Sequence, residues 1–275
     1  MSTPHSRFYL HLTHVHVQGF YLRGNSGTQA AMPFITAAML SCHRMGLHRD
    51  MDRPDLTPME REQRRRVFWV AFTVDQRYAN FLVFILNTRP DTSSSTCLRA
   101  GNAPSQHPDD FDVPLPQEMP EDRDPELSSN IPFFRQLCRM ALIKTRIYCR
   151  LYTANALFKP PREIYRTVKE LHAELEEWRK DYPFDEEPKR KGAEKEFLYG
   201  FAGIGLHFIY YNALIMIHRI PLVLNHLVSS REDSEGLEPI SKSQAAKSGA
   251  ICVKAARDTL KMVNDMPWGD IAWIW

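Results

Sequence analysis

Three groups of residues in this chain have the types and spacing that could do chemistry. The first is Arg64-Arg65-Arg66 in "EREQRRRVFW", residues 60–69, where three guanidinium groups abut an aromatic run. Such a triplet suits phosphate recognition, nuclear import or ion pairing within a fold. The second is "HLTHVHV", in which His11, His14 and His16 offer three imidazoles to a metal. The third is "DDFD", whose Asp109, Asp110 and Asp112 supply hard oxygen ligands for a divalent cation.

Successive helical residues point about 100° apart, so three adjacent arginines cannot share a face. Measured from Val67, Arg64 falls along the apolar arc of its helix and Arg66 points away from it. Glu60 and Glu62 precede Arg64 and Arg66 by one helical turn, with the acid on the favourable N-terminal side, each pair giving roughly 0.2–0.5 kcal/mol. Between residues 44 and 66, seven Arg face five Asp plus Glu. The triplet therefore reads as a helix face plus a core ion pair, with an import signal or a nucleic-acid contact as the alternative. Asp75 lies in the same arc, about 16 Å along the axis from Arg64, so the two cannot pair. Each needs a partner from another element, because a buried unpaired charge costs several kcal/mol. His48, Arg49, His218 and Arg219 are the candidates, and an interhelical polar network is the expectation.

Of the three N-terminal histidines only His11 and His14 share a helical face, and no carboxylate is near, so they read as polar or core histidines. "DDFD" sits in a Pro-bounded loop. The aspartate-rich metal loop of all-α isoprenoid synthases, by contrast, lies on a helix facing a second metal motif. The cysteines at 42, 97, 138, 149 and 252 have no short metal-ligand spacing. They read as reduced thiols, with Cys138 and Cys149 in the core. No Ser/His/Asp or Cys/His nucleophile pattern occurs locally. No catalytic, metal or cofactor-binding residue is expected, and the chain is read as a non-enzyme.

The elements that position these residues are helical. With 35 Lys plus Arg against 33 Asp plus Glu, the net charge is +2, so there is no chain-wide field for a polyanion. At 43% hydrophobic residues a substantial core can form. Apolar residues recur at helical spacing over 29–46, 57–85, 133–158, 163–180, 196–219 and 241–264, with a further helix near 10–22. Gly46 is placed to end the first long helix in a left-handed conformation, with Leu47 as its hydrophobic partner. Thr57, Pro58 and Glu60 form a capping box with the preferred proline. Pro221 is expected to close the helix over 196–219. Residues 87–130 lose all periodicity, and 109–126 carry eight acidic residues against Arg123 alone, which predicts a partly solvated loop. The fold expected is all-α, an irregular array of about seven helices with a long Pro/Asp-rich loop, drawn as a single domain over 1–275. No window approaches the length of a membrane span and no secretory signal is seen; a soluble, intracellular chain is expected.

These residues, in order, resemble the fungal-specific transcription factor domain, the xylanolytic-activator-type middle regulatory region of zinc-cluster transcription factors. The resemblance rests on "AAMLSCHRMGLHRD" followed by "EREQRRRVFWVAFTVDQR", then "DDFDVPLP", "ELEEWRKDYP", "LHFIYYNALIMIHRIPL" and "AAKSGAICVKAARDTLKMVN". It covers most of residues 12–265. On it, Gly46, Leu47, His48, Arg49, Arg64, Arg65, Arg66, Trp69, Asp75, His218, Arg219 and Pro221 are family-motif structural residues. The chain departs from the pattern at Met45, Phe68, Gln76 and Ile220. A larger departure is "VFILNTRPDTSSSTCLR" at 83–99, within an insertion-like loop over 83–130.

The resemblance implies a nuclear regulatory domain of a transcription factor, working through intramolecular contacts, protein co-regulators and a small-molecule inducer, with no membrane partner. In such proteins DNA is read by an N-terminal six-cysteine zinc cluster, whose cysteine spacing is absent from this sequence. DNA binding and zinc are thus implied only through a missing module, and the chain is expected to be truncated at both ends. The alternatives are a DNA-blind modulator that competes for partners, and an all-α small-ligand-binding protein or enzyme. We hypothesise that 83–99 is an insertion or a retained intron translated in frame. Sequencing the mature transcript tests this, and a message containing the stretch sinks the intron version.

Overall fold

The short elements around Gly46 follow directly from local chemistry. In a computed structural model, which describes residues 28–51, 53–86, 105–117, 133–181, 194–229 and 242–263, helix α1 spans Thr28–Arg44. Gly46 takes φ 63°, its N–H donates to the His43 carbonyl at 2.9 Å, and the Leu47 N–H donates to the Cys42 carbonyl at 2.9 Å. These two bonds satisfy carbonyls that the helix end leaves over, and Leu47 packs into the core at 3% exposure. Helix α2, Pro58–Leu86, begins at the expected cap. The Thr57 N–H donates to Glu60 Oε2 at 2.8 Å and the Glu60 N–H to Thr57 Oγ1 at 3.3 Å, with Pro58 first in the helix.

Helix α3, Phe133–Ile147, runs into a π turn at Tyr148–Tyr152 and then a short helix α4, Ala154–Leu157. The sequence periodicity had these as one helix over 133–158. Thr153 breaks it: its backbone is extended, its hydroxyl donates to the Cys149 carbonyl at 3.0 Å, and the same oxygen accepts from the Ala156 N–H at 3.3 Å. A side chain that bonds backbone groups on both sides competes with the regular ladder. Helix α5 spans Pro161–Lys180, helix α6 Glu194–Ser229 and helix α7 Lys242–Val263.

Helix α6 corrects the expectation at Pro221, since it continues through that residue to Ser229. Proline removes one helix hydrogen bond and crowds the preceding turn at a cost of about 3 kcal/mol. Pro221 is buried and α6 packs extensively on α7 and α5, so tertiary burial outweighs the local penalty. Seven α-helices and no strand occur among the described residues, as an all-α array requires. The helix expected near 10–22 lies outside them. The loop expected over 83–130 begins later, since α2 extends to Leu86, and residues 105–117 within it have a defined course; 87–99 lie outside the described residues.

By their contacts the described residues form two compact units, divided between Thr145 and Arg146 inside α3, where the sequence reading draws one unit over 1–275. The first is centred on Met39, Cys42, Phe68, Trp69, Phe72 and Cys138, each at 2% exposure or less. The second is centred on Leu171, Leu175 and Trp178 of α5 and Leu206, Met216 and Ile217 of α6. Fully burying such side chains stabilises by roughly 1.5–3 kcal/mol each.

Replacing Gly46 with Ala is expected to destabilise the protein by about 1–2 kcal/mol, because the left-handed conformation penalises a Cβ by that amount. The added atom would also lie 2.9 Å from Met51 Cε, which must move. Urea unfolding of Gly46→Ala beside wild type measures this; equal midpoints would contradict it.

Candidate functional site

Residues 105–117 lie as a strap along α2, and nearly every charged motif residue of the first unit is bonded to the strap or to the α1 terminus. The strap starts with a bend at Ser105 and Gln106, makes a 3₁₀ turn at Pro108–Asp110, and then runs extended to Gln117. Phe111 fits among Phe68, Trp69 and Phe72, with ring centroids 5.1, 5.7 and 5.0 Å away. Aromatic pairs of this geometry add about 0.5–1.5 kcal/mol each beyond the area they bury. Trp69, at 1% exposure, donates Nε1–H to the Pro114 carbonyl at 2.7 Å. Val113 is buried beside them.

The arginine triplet divides its work. Arg64 donates Nη2–H to the Met45 carbonyl at 3.0 Å, closing the C-terminal end of α1 just before Gly46. Glu62, 4% exposed, is the hub for the other two. Its Oε2 accepts from Arg65 Nη1 at 2.7 Å; its Oε1 accepts from Arg66 Nε at 3.2 Å and from the Gln117 N–H at 2.9 Å. Arg66 also donates Nη2–H to the Gln117 carbonyl at 2.9 Å and stacks over the Phe134 ring at 5.8 Å. The angular reading that Arg66 points away from the packed side is therefore corrected: the strap and α3 cover it. Arg135 of α3 fastens the same strap through the Pro116 carbonyl at 2.6 Å. The Glu62–Arg66 pair expected from spacing forms.

Asp75, 1% exposed, departs from the pairing proposed for it. No cation meets it. Its carboxylate accepts from the Ser105 N–H at 2.9 and 3.2 Å and from the Gln106 N–H at 3.4 Å. Burial raises its pKa above the usual carboxylate value, while the Ser105 and Gln106 bonds pull the other way. Gln76 donates to the Gln106 carbonyl at 3.4 Å, and Gln106 Oε1 meets His43 Nε2. His48 stacks on His43 at 4.3 Å, and its pKa is lowered by burial and by the neighbouring His43 and Arg49. Its carbonyl accepts from the Asp112 N–H at 3.2 Å. Asp112 accepts from the Asp50 N–H at 2.7 Å and faces Arg49 at 3.7 Å.

His218 and Arg219 belong to the second unit and bond within it. His218 Nδ1 lies 3.2 Å from Ser248 Oγ and its Nε2 lies 2.9 Å from His172 Nδ1. Burial, then His172, lowers its pKa to about 4, so it is neutral near pH 7. Arg219 donates Nε–H to Tyr152 Oη at 2.7 Å and lies 5.0 Å over that ring; Tyr152 donates onward to the Met216 carbonyl at 2.6 Å. Polar contacts between elements thus occur within each unit, but Arg64 and Asp75 meet backbone groups and not the His48, Arg49, His218 or Arg219 side chains that the sequence reading offered as partners. Ser105, Gln106, Gln117, Tyr152, His172 and Ser248 carried no sequence signal that separates them from ordinary loop or helix residues.

The remaining chemistry-like residues are placed plainly. Asp109 and Asp110 are exposed on the 3₁₀ turn. Burial pushes the Cys42 and Cys138 thiols up to about 12 and Cys252 to about 11, far from a reactive thiolate. Among the described residues no group of three or more His, Cys, Asp or Glu side chains could hold a metal, and no helix is long and apolar enough to cross a membrane. His11, His14, His16 and Cys97 lie outside the described residues.

An all-α scaffold whose charged motif residues hold its own helix ends and its own strap is a class defined by architecture rather than by a reactive centre. The chain belongs to the family described as the fungal specific transcription factor domain, whose model matches residues 13–180. An ABC-transporter-regulating transcription factor of Aspergillus oryzae is 33% identical over 268 residues, covering 93% of this chain and 27% of the relative. Its Aspergillus fumigatus counterpart is 32% identical with the same coverage. Activator of stress genes 1 of Saccharomyces cerevisiae is 24% identical over 261 residues, covering 90% of this chain and 24% of the relative. The chain therefore spans about a quarter of the length of these relatives. No solved structure matches it significantly.

Asp75→Ala leaves the Ser105 and Gln106 N–H groups without their acceptor and is expected to cost about 2 kcal/mol. Asp75→Asn keeps one acceptor oxygen and removes the buried charge, so its cost is expected to be smaller. The raised folded-state pKa means that the stability contributed by Asp75 is full below its unfolded value near 4 and is lost as pH rises through the folded value. Wild type should accordingly lose ground to Asp75→Asn between pH 4 and pH 7. Urea unfolding at both pH values measures the difference, and a gap that does not change with pH would contradict this account.

Proposed function

We propose that this chain is the regulatory region of a fungal transcription factor, acting in the nucleus through contacts with proteins or with other parts of its own polypeptide. DNA is reached through a six-cysteine zinc module whose spacing this sequence does not contain, so zinc and base recognition lie with that module and the chain itself carries no cofactor. The observation that supports the reading most directly is the use made of the arginine triplet. Arg64, Arg65 and Arg66 are spent on Met45, Glu62 and Gln117, so this triplet braces the fold instead of facing a phosphate backbone. The names of the two Aspergillus relatives support transporter promoters as the first targets to examine.

Fusing the chain to a heterologous DNA-binding module in a fungal host tests the reading. The fusion is expected to change reporter output several-fold relative to the module alone. The purified chain is expected to show no sequence-specific retention of duplex DNA at about 0.15 M salt, where counterion release leaves only real phosphate contacts effective. An unchanged reporter, or specific DNA retention by the chain alone, would overturn it.

A further inference from the structure

Helix α7 keeps an uncovered face whose pattern repeats every seven residues. Ala246, Ala250, Val253, Arg257 and Leu260 follow at steps of 4, 3, 4 and 3. At about 100° per residue they fall within an arc of about 80°, which runs about 21 Å along the helix. All five are exposed, Val253 at 48% and Leu260 at 64%. The opposite face carries the buried Ala245, Ser248 and Ala255, and there α7 packs on α6, with Ser248 bonded to His218. Directly beside the open arc stand Lys247, Lys254 and Lys261, again seven apart and all exposed. We infer that this face docks an acidic amphipathic α-helix of a different protein.

Steps of 4 and 3 are the spacing of the seam along which two α-helices wind, with the next position on one side reserved for charges that choose the partner. In that register the seam of α7 is Ala, Ala, Val, Arg and Leu, and every flanking position of the row that includes 247 is lysine. Lys261 reaches Asp258 at 3.1 Å with its side chain 76% exposed, and no ion pair holds Lys247 or Lys254 among the described residues. The row therefore presents uncompensated positive charge at a regular spacing, and glutamates on a facing helix meet it in the same register.

The same register argues against two other occupants. Pairing two copies of α7 antiparallel sets lysine against lysine, and pairing them parallel sets the lysines against Gly249, Ala256 and Val263, which carry no charge. An anionic lipid surface wants a wide, large apolar face on one side of the helix. Here Arg257 lies between Val253 and Leu260 in the middle of the apolar arc, where insertion would bury its charge. At a helix-helix seam a single polar residue is tolerated and restricts the choice of partner.

Docking deepens the regulatory reading and rests on it for the partner's role, yet it is measured on the purified chain, so loss of docking and an unchanged reporter are separate results. A labelled helical peptide of about 20 residues, with leucine along its seam and glutamate at both flanking rows, is titrated with the chain by fluorescence anisotropy beside a peptide with lysine in place of glutamate. The glutamate peptide is expected to bind saturably with a Kd on the order of 10 μM, and the lysine peptide about tenfold more weakly or less. Raising salt to about 0.5 M should narrow that gap. The Lys247→Glu/Lys254→Glu variant alters exposed side chains without ion pairs, so it should melt like wild type and reverse the preference toward the lysine peptide. Leu260→Asp should also melt like wild type and weaken the glutamate peptide about tenfold. Absence of binding, equal binding of the two peptides, or an unchanged preference in the charge-reversed variant would overturn the proposal. Dimerisation of the chain that Leu260→Asp abolishes would give the face to a second copy, and sedimentation with phosphatidylserine vesicles without peptide binding would give it to a membrane; either also overturns it.

Discussion

The first unit depends on the clamp between α2 and the strap at 105–117. One side of α2 offers an aromatic socket for Phe111, and the same helix offers Glu62, Arg66, Trp69 and Asp75 to the strap's backbone. An extended segment has no internal ladder, so each of its buried N–H and C=O groups must find a partner outside itself. Here the N–H groups of Ser105, Gln106 and Gln117 take carboxylates, and the carbonyls of Pro114, Pro116 and Gln117 take side-chain donors. That accounting explains why acidic and basic residues alternate with aromatics along one helix. It also explains why three motifs far apart in sequence, around residues 48, 64 and 112, have to occur together.

The second unit uses a different device. Its polar core runs through tyrosine, neutral histidine and serine, with Arg219 laid over Tyr152. Neutral partners spare most of the desolvation penalty that a buried charge pair would carry. Exposed ion pairs such as Arg150 with Glu170 and Lys180 with Glu177 decorate α5 and its neighbours, and they contribute little on their own. Apolar packing of α5, α6 and α7 carries the unit, which is why Pro221 can sit inside α6.

Much of the candidate site was legible in the residues. The Gly46 terminus, the Thr57 capping box and the burial of Asp75 followed from periodicity and from rules that act within one turn of helix. Their partners did not follow. Arg64 meets a carbonyl and Asp75 meets amide groups, and every residue has those groups, so no sequence signal marks which of them will be near. Arg66 was misplaced for a related reason: its helical angle was right, but the covering element comes from a Pro- and Asp-rich stretch that has no period to announce its course.

The sequence by itself determined the local elements and the family. Helix starts and stops, the apolar stripes and the ordered motifs are written in neighbouring side chains, whose interactions survive without the rest of the chain. Tertiary structure decided where the strap lies, that α6 passes through Pro221, and which backbone groups meet Arg64 and Asp75. Those outcomes are set by burial and by hydrogen-bond satisfaction between residues far apart in sequence, and both exist only once the chain has closed on itself.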